Sequence, residues 1–176
     1  MLPTLPVLLD EATVRARVND LARQIRRDAG DGTPVHFVCV LKGAFVFLAD
    51  LIRACEGPSS CDFLGVASYG DGTSSSGQVR LTKDLDHPLN GRYVVLVEDI
   101  VDTGLTLSYL LEILAARQPA VLRTACLLSK PARREVEVTV DYVGFEIEDR
   151  FVVGYGLDHA EAWRNLPYIG VMQEQG

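Results

Sequence analysis

The sequence predicts an α/β protein: a mainly parallel, twisted sheet with helices on both faces. Three observations carry this. Apolar runs of strand length alternate with segments whose apolar residues recur every three or four positions. The run at 94–97 (VVLV) is apolar throughout and that at 35–41 (VHFVCVL) is apolar but for His36, as strands covered on both faces are. Two of these strands pass to a helix through a short turn, at Lys42-Gly43 and at Asp102-Thr103-Gly104, the repeating unit of a parallel sheet.

The elements follow in order. Residues 1–10 read as extended because of Pro3 and Pro6. A helix is predicted over 11–27, with Val14, Val18, Leu21 and Ile25 on one face and Asp10 as N-cap. A turn at 30–34 leads into the strand 35–41, and a second helix runs from 44 to about 54. Residues 57–60 break the chain, and 63–69 form a strand. The following Gly/Ser-rich stretch to Gly77 cannot bury apolar surface and is expected to be mobile. A short returning strand at 79–81 and a turn at 86–92 precede the stretch that organises the rest, YVVLVEDIVDTGLTLSYLLEILAARQ, at 93–118. Strands are expected at 121–128, 142–147, 151–155 and 169–172. No internal repeat or linker is evident.

Within the organising stretch, the apolar strand meets two acids, Glu98 and Asp99, then the turn Asp102-Thr103-Gly104. From Thr106 a helix is predicted, with Leu107, Leu110, Leu111 and Leu114 on one face. A glycine turn entering a helix aims backbone N–H groups at one point, where a phosphate fits, and the hydroxyls of Thr103 and Thr106 add donors. Two adjacent carboxylates would repel a bare phosphate. They make sense against sugar hydroxyls or a divalent cation, so the stretch reads as a site for a phosphorylated sugar with a metal. A lone Glu-Asp pair is also compatible with a solvated loop.

Bulk properties narrow the classes. A chain of 176 residues, 48% hydrophobic and 23% charged, suits one domain with a real core. The net charge of −7 disfavours a broad nucleic-acid surface. Cys39, Cys55, Cys61 and Cys126 form no C-x-x-C pair, and Cys39 and Cys126 lie in apolar runs, which points to buried free thiols in a reducing compartment, the cytoplasm. No apolar run approaches the ~20 residues of a membrane span, and the N-terminus lacks the basic region of a signal peptide.

Further motifs follow in order: Leu41-Lys42-Gly43, Ser68-Tyr69, Leu128-Ser129-Lys130, VGFE at 143–146, FVVGYGLD at 151–158, and Trp163-Arg164. Singly, each has an ordinary reading: Lys42 as a loop lysine, Phe151 as core, Asp158 as a turn acid, Arg164 as a surface arginine. Together with VEDIVDTGLT they resemble the bacterial hypoxanthine-guanine type of the type I phosphoribosyltransferase family, from about residue 35 to the C-terminus.

The resemblance implies transfer of a phosphoribosyl group from phosphoribosyl pyrophosphate (PRPP) to hypoxanthine or guanine. Glu98 and Asp99 would hold the ribose hydroxyls and support Mg²⁺. Asp102, Thr103, Gly104, Leu105 and Thr106 would wrap the 5-phosphate, and Asp102 would accept the purine N7 proton. The family often has Lys or Asn where this chain has Leu105, a difference that backbone N–H contacts tolerate. Lys42, Gly43 and Arg164 would bind pyrophosphate, with a cis Leu41–Lys42 peptide. Asp158 would hold a second Mg²⁺ and lie at the purine; Lys130 would donate to the 6-oxo group, Phe151 would stack on the ring, and Val152 would bond its edge. A lid at 68–80, including Ser68 and Tyr69, would exclude water. The single domain 1–176 would divide into a core at about 35–145 and a purine-binding hood from about 1–10 and 146–176. Homodimers or homotetramers are expected. Competing readings are an RNA-binding or transcriptional regulator on the same fold, and a xanthine-directed transferase.

Overall fold

A computed structural model describes residues 5–68 and 79–172. In chain order the elements are β1 (Val7–Leu9), α1 (Glu11–Ala29), β2 (Val35–Leu41), α2 (Phe45–Ala54), β3 (Ser59–Ser68), β4 (Val79–Lys83), β5 (Tyr93–Val101), α3 (Leu105–Ala115), β6 (Val121–Ser129), β7 (Tyr142–Glu146), β8 (Val152–Val153) and β9 (Ile169–Val171), with a 3₁₀ turn at Pro131–Arg133.

Six strands form one sheet in the order β4-β3-β2-β5-β6-β7. Every pairing is parallel except β3 with β4. Successive strand residues point to opposite faces, and the core divides accordingly. Phe37, Cys39, Val95, Val97, Ala125 and Leu127 pack with α1 and α2. Val38, Val40, Val94, Leu96 and Cys126 pack with Leu107, Leu110 and Leu114 of α3. Burial of both faces is why β2 and the first half of β5 read as nearly continuous apolar runs. The expected fold class is therefore found.

Asp10 caps α1 as expected, its carboxylate accepting from the Thr13 N–H at 2.7 Å. Arg17 of α1 donates to the carbonyls of Gly144 and Val143 at 2.9 and 2.7 Å, which ties the helix to β7. A second, three-stranded sheet, β1-β9-β8, joins the two ends of the chain. Cys39, Cys55 and Cys126 are buried free thiols and Cys61 is an exposed one.

Several expected boundaries shift. β3 starts at Ser59, inside the stretch read as a chain break, because Ser59 and Ser60 pair with Val35 and His36. The strand expected at 151–155 shrinks to Val152–Val153. There, positive φ at Gly154 (102°), Tyr155 (50°) and Gly156 (100°) curls the chain out of extended geometry. Residues 69–78, with Tyr69 and most of the expected lid, lie outside the described residues; of that lid, Ser68 ends β3, and Val79 and Arg80 begin β4. No helix among the described residues is long and apolar enough to cross a membrane.

Candidate active site

The carboxyl ends of parallel strands β2, β5 and β6 lie side by side, and the turns that leave them carry the polar groups. At the end of β5, Glu98 remains within the ladder, paired with Cys126, and its side chain is buried. Burial, reinforced by neighbouring Asp99, pushes its carboxyl well above the ordinary range. Burial also raises Asp99. The Ile100 N–H, which donates to Asp99 Oδ1 at 2.8 Å, opposes that, as does Arg164, while Asp158 adds to it. The same burial, with Glu98 next, pushes the Cys39 and Cys126 thiols up to about 12, so neither is a thiolate nucleophile near neutrality.

The turn after β5 is held from outside. Arg134 donates to the Asp102 carbonyl at 2.9 Å, and the Glu135 and Val136 N–H groups donate to the Thr103 carbonyl at 2.9 and 3.3 Å. Gly104 sits at φ 88°, and a Cβ there would come within 3.1 Å of the Val136 carbonyl, so only glycine suits it. It caps α3 without any side-chain hydrogen bond. The Leu105 N–H reaches Thr103 Oγ1 at 3.3 Å. This stretch, with Glu98, Asp102, Thr103 and Thr106, lines a small cleft of about 80 Å³.

A second turn closes on the first. The Leu41–Lys42 peptide is cis, as expected. A Cβ on Gly43 would fall 1.7 Å from Asp99 Oδ2, so the Asp99 carboxylate rests directly on the Gly43 backbone. On the same residue, a Cβ at Gly156 would meet the Gly43 carbonyl at 2.3 Å. The missing side chain of Gly156 thus lets the 154–164 segment reach the turn at the carboxyl end of β2. That segment is internally bound: Arg164 donates to the Gly156 carbonyl at 2.8 Å and meets Asp158 Oδ1 at 3.0 Å. Asp158 Oδ2 accepts from the Glu161 N–H at 2.8 Å, and Glu161 pairs with Lys42 at 2.9 Å.

A third group stands at the end of β6. Lys130 is buried, its N–H donating to the Val101 carbonyl at 2.9 Å and its Nζ lying 3.4 Å from Asp149 Oδ1. Arg133, on the 3₁₀ turn that follows, donates to Asp102 Oδ1 at 3.0 Å.

Asp99, Gly43, Lys42, Asp158 and Arg164 are therefore joined by contacts or through shared partners, and so are Lys130 and Asp102. Val152 is buried in β8, whereas Phe151 is exposed and meets His159 edge-on, ring centroids 5.3 Å apart. Sequence reasoning missed Arg133, Arg134, Asp149 and Glu161. The Arg133-Arg134 pair close behind Lys130 was the available signal for two of them. Asp149 falls between the strands expected at 142–147 and 151–155 with no motif to mark it, and nothing in the spacing links Glu161 to Lys42.

An open parallel sheet with paired acids at a strand end, beside an uncapped helix start, defines a phosphoribosyltransferase. The phosphoribosyl transferase domain family matches residues 8–160, and the chain belongs to that family. It is similar to the hypoxanthine phosphoribosyltransferase of Salmonella typhimurium, 47% identical over 168 residues, covering 95% of this chain and 94% of that protein. The hypoxanthine-guanine phosphoribosyltransferase of Mycobacterium avium is 49% identical over 171 residues, covering 94% and 84%. Among solved structures, a hypoxanthine-guanine phosphoribosyltransferase of Bacillus anthracis matches with a TM-score of 0.92 at 44% identity, covering 97% of this chain and all of that one. The hypoxanthine phosphoribosyltransferase of Trypanosoma cruzi, in a ternary complex with substrates, gives 0.89 at 41%, covering 96% and 95%. The family drawn from the motifs is the family found.

Proposed function

We propose that the protein carries out purine salvage by joining hypoxanthine or guanine to the phosphoribosyl group of PRPP, forming IMP or GMP and releasing pyrophosphate. The observation that carries this is the end of β5. Buried Glu98 and half-buried Asp99 stand beside the start of α3, whose Gly104 brings no side chain of its own to the backbone N–H groups. A ribose phosphate offers what both lack: hydroxyls for the acids and an anion for the helix start.

In this reading Thr103, Gly104, Leu105 and Thr106 wrap the 5-phosphate, and Glu98 and Asp99 hold the ribose. As the C1′–O bond breaks, positive charge develops on the sugar and negative charge on the departing pyrophosphate. Lys42, with the Gly43 backbone, and Arg164 grip that pyrophosphate, which must displace Glu161 from Lys42. The purine nitrogen attacks C1′, and the N7 proton passes to Asp102, whose Oδ2 carries no hydrogen bond from the described residues. Lys130 donates to the 6-oxo group, Phe151 stacks on the ring, and Val152 bonds its edge. The two end segments, paired as β1-β9-β8, form the hood.

No group of three or more metal-binding side chains occurs among the described residues. Mg²⁺ does not need one, since it commonly takes one or two carboxylates together with substrate phosphates. Glu98 and Asp99 fit that pattern, because a cation relieves two crowded acids. Asp158 fits less directly, with its oxygens on Arg164 and the Glu161 N–H. Mg²⁺ would supply charge neutralisation for the pyrophosphate.

Consumption of hypoxanthine, guanine, xanthine and adenine with PRPP, measured side by side, tests the reading. Hypoxanthine and guanine should turn over and adenine should be rejected strongly, because the Lys130 ammonium is a donor and so is the adenine 6-amino group. PRPP binding without turnover would favour a regulator; xanthine as the best base would favour the xanthine-directed alternative. Full turnover in excess chelator would remove the role of Mg²⁺. Sedimentation distinguishes the homodimer from the homotetramer we expect.

A further inference from the structure

Four charged groups alternate in sign along the base side of the site: Lys130, Asp149, Arg133 and Asp102. Lys130 Nζ lies 3.4 Å from Asp149 Oδ1, and Arg133 Nη1 lies 3.7 Å from Asp149 Oδ2. The Arg133 Nε donates to Asp102 Oδ1 at 3.0 Å. The ends of this chain are the two groups that, in the proposed function, read one edge of the base, where the 6-oxo acceptor and the N7–H donor are neighbours. The two middle members touch neither atom in that reading. Building on the proposed function, we infer that Arg133 and Asp149 are positioning residues: a charge bridge that fixes the Asp102 carboxylate relative to the Lys130 ammonium.

Three features support the bridge. Arg133 takes only Oδ1 of Asp102 and leaves Oδ2 without a hydrogen bond from the described residues, so the carboxylate is oriented while one oxygen stays available. A planar guanidinium carries donors in a fixed fork, so one side chain spans two acids without a change of rotamer. Asp149 is also the one acidic partner of the buried Lys130 ammonium among the described residues, and a long, flexible lysine needs such a partner to hold a single position. The backbone side of Asp102 is anchored separately, by Arg134, so Arg133 acts on the carboxylate rather than on the turn.

Arg133, Asp149 and Asp102 are all substantially exposed, and exposed ion pairs contribute little to folding. Arg133→Ala should therefore fold with unchanged Tm, and its kinetics report on the site; Asp149→Asn also takes the acidic partner from the buried Lys130 ammonium and should lower Tm, so its kinetics are read at a temperature well below its own Tm. In single turnover with hypoxanthine, Arg133→Ala should lower the rate by ~10-fold or more, the scale expected when a reacting group loses its alignment. Its affinity for PRPP, measured by calorimetry, should stay unchanged. Arg133→Lys should recover part of the rate. Asp149→Asn should act mainly by raising the KM for hypoxanthine. The double variant should lose less than the product of the two single losses, because both break one bridge. An Arg133→Ala variant with the wild-type rate, a loss residing wholly in PRPP affinity, or fully multiplicative losses would each overturn the inference. A wild-type enzyme that consumes no hypoxanthine would instead overturn the proposed function, a separate result read in the same assay.

Discussion

Helices α1 and α3 begin in opposite ways. α1 starts at Asp10, whose carboxylate meets the Thr13 N–H. It carries acidic Glu11 in the first turn and basic Arg26 and Arg27 in the last, so its end charges complement the helix dipole. α3 starts at Gly104 in a left-handed conformation, with no side-chain cap and no acid in its first turn. The hydrogen bonds that fix its entry come from behind, from Arg134 and the 135–136 backbone onto carbonyls. One helix start is complete in itself and serves the fold. The other is held rigidly while its forward-facing donors are left for something else, and it is the one beside Glu98 and Asp99. α2 belongs with α3: Ala44 caps it with no side-chain bond, just past Lys42 and Gly43.

The contrast can be broken most severely at Asp102. Asp102→Asn keeps the shape of the turn but removes the proton acceptor of the proposed function, and on that reading kcat should fall by ~10²–10⁴-fold with a smaller effect on PRPP affinity. A variant within threefold of wild type in single turnover would remove that role. Gly43→Ala comes next. Its Cβ would overlap Asp99 Oδ2, so the carboxylate or the turn must move, and kcat/KM for PRPP should drop by ~10²-fold. Retained activity would show that the Asp99–Gly43 contact has no functional consequence.

These outcomes bear on what the sequence could reveal. The ends of β2 were legible because both its faces are covered and six of its seven residues are apolar. The α3 start was legible because strand, acids, glycine turn and helix are contiguous. The short extent of β8 within the strand expected at 151–155 was not, since its two residues owe their pairing to β9 and their limit to the positive-φ run that follows. Nor was the Lys42–Glu161 pair, whose members meet only because Gly43 and Gly156 touch. Contacts that depend on packing between distant segments leave no periodicity to read.

Glu98 offers a test through pH. Its folded-state carboxyl is raised, so folding favours the protonated form; its contribution is fully present below the ordinary value of 4.5 and is lost as pH rises through the raised one. Glu98→Gln should therefore match wild type in Tm at about pH 4 and exceed it at about pH 8, while losing activity. Equal Tm differences at both pH values would contradict a raised carboxyl. The smallest effect belongs to the self-sufficient helix: Asp10→Ala should lower stability modestly, as the loss of an N-cap does, and leave kcat unchanged. Chemical denaturation beside a turnover assay checks both halves.

The small sheet has a consequence for how the molecule is made. β1 finds its strand partner in β9, nearly the whole chain away, with Val7 opposite Gly170. A ribosome releases the segments of the six-stranded sheet, which end at Glu146, before it releases β9. Until then β1 waits unpaired, and the 154–164 segment that brings Asp158 and Arg164 to Gly43 is only just emerging. Folding order thus places assembly of the side that carries Asp158 and Arg164 after that of the six-stranded sheet, so a nascent chain can hold much of its core before these residues reach Gly43.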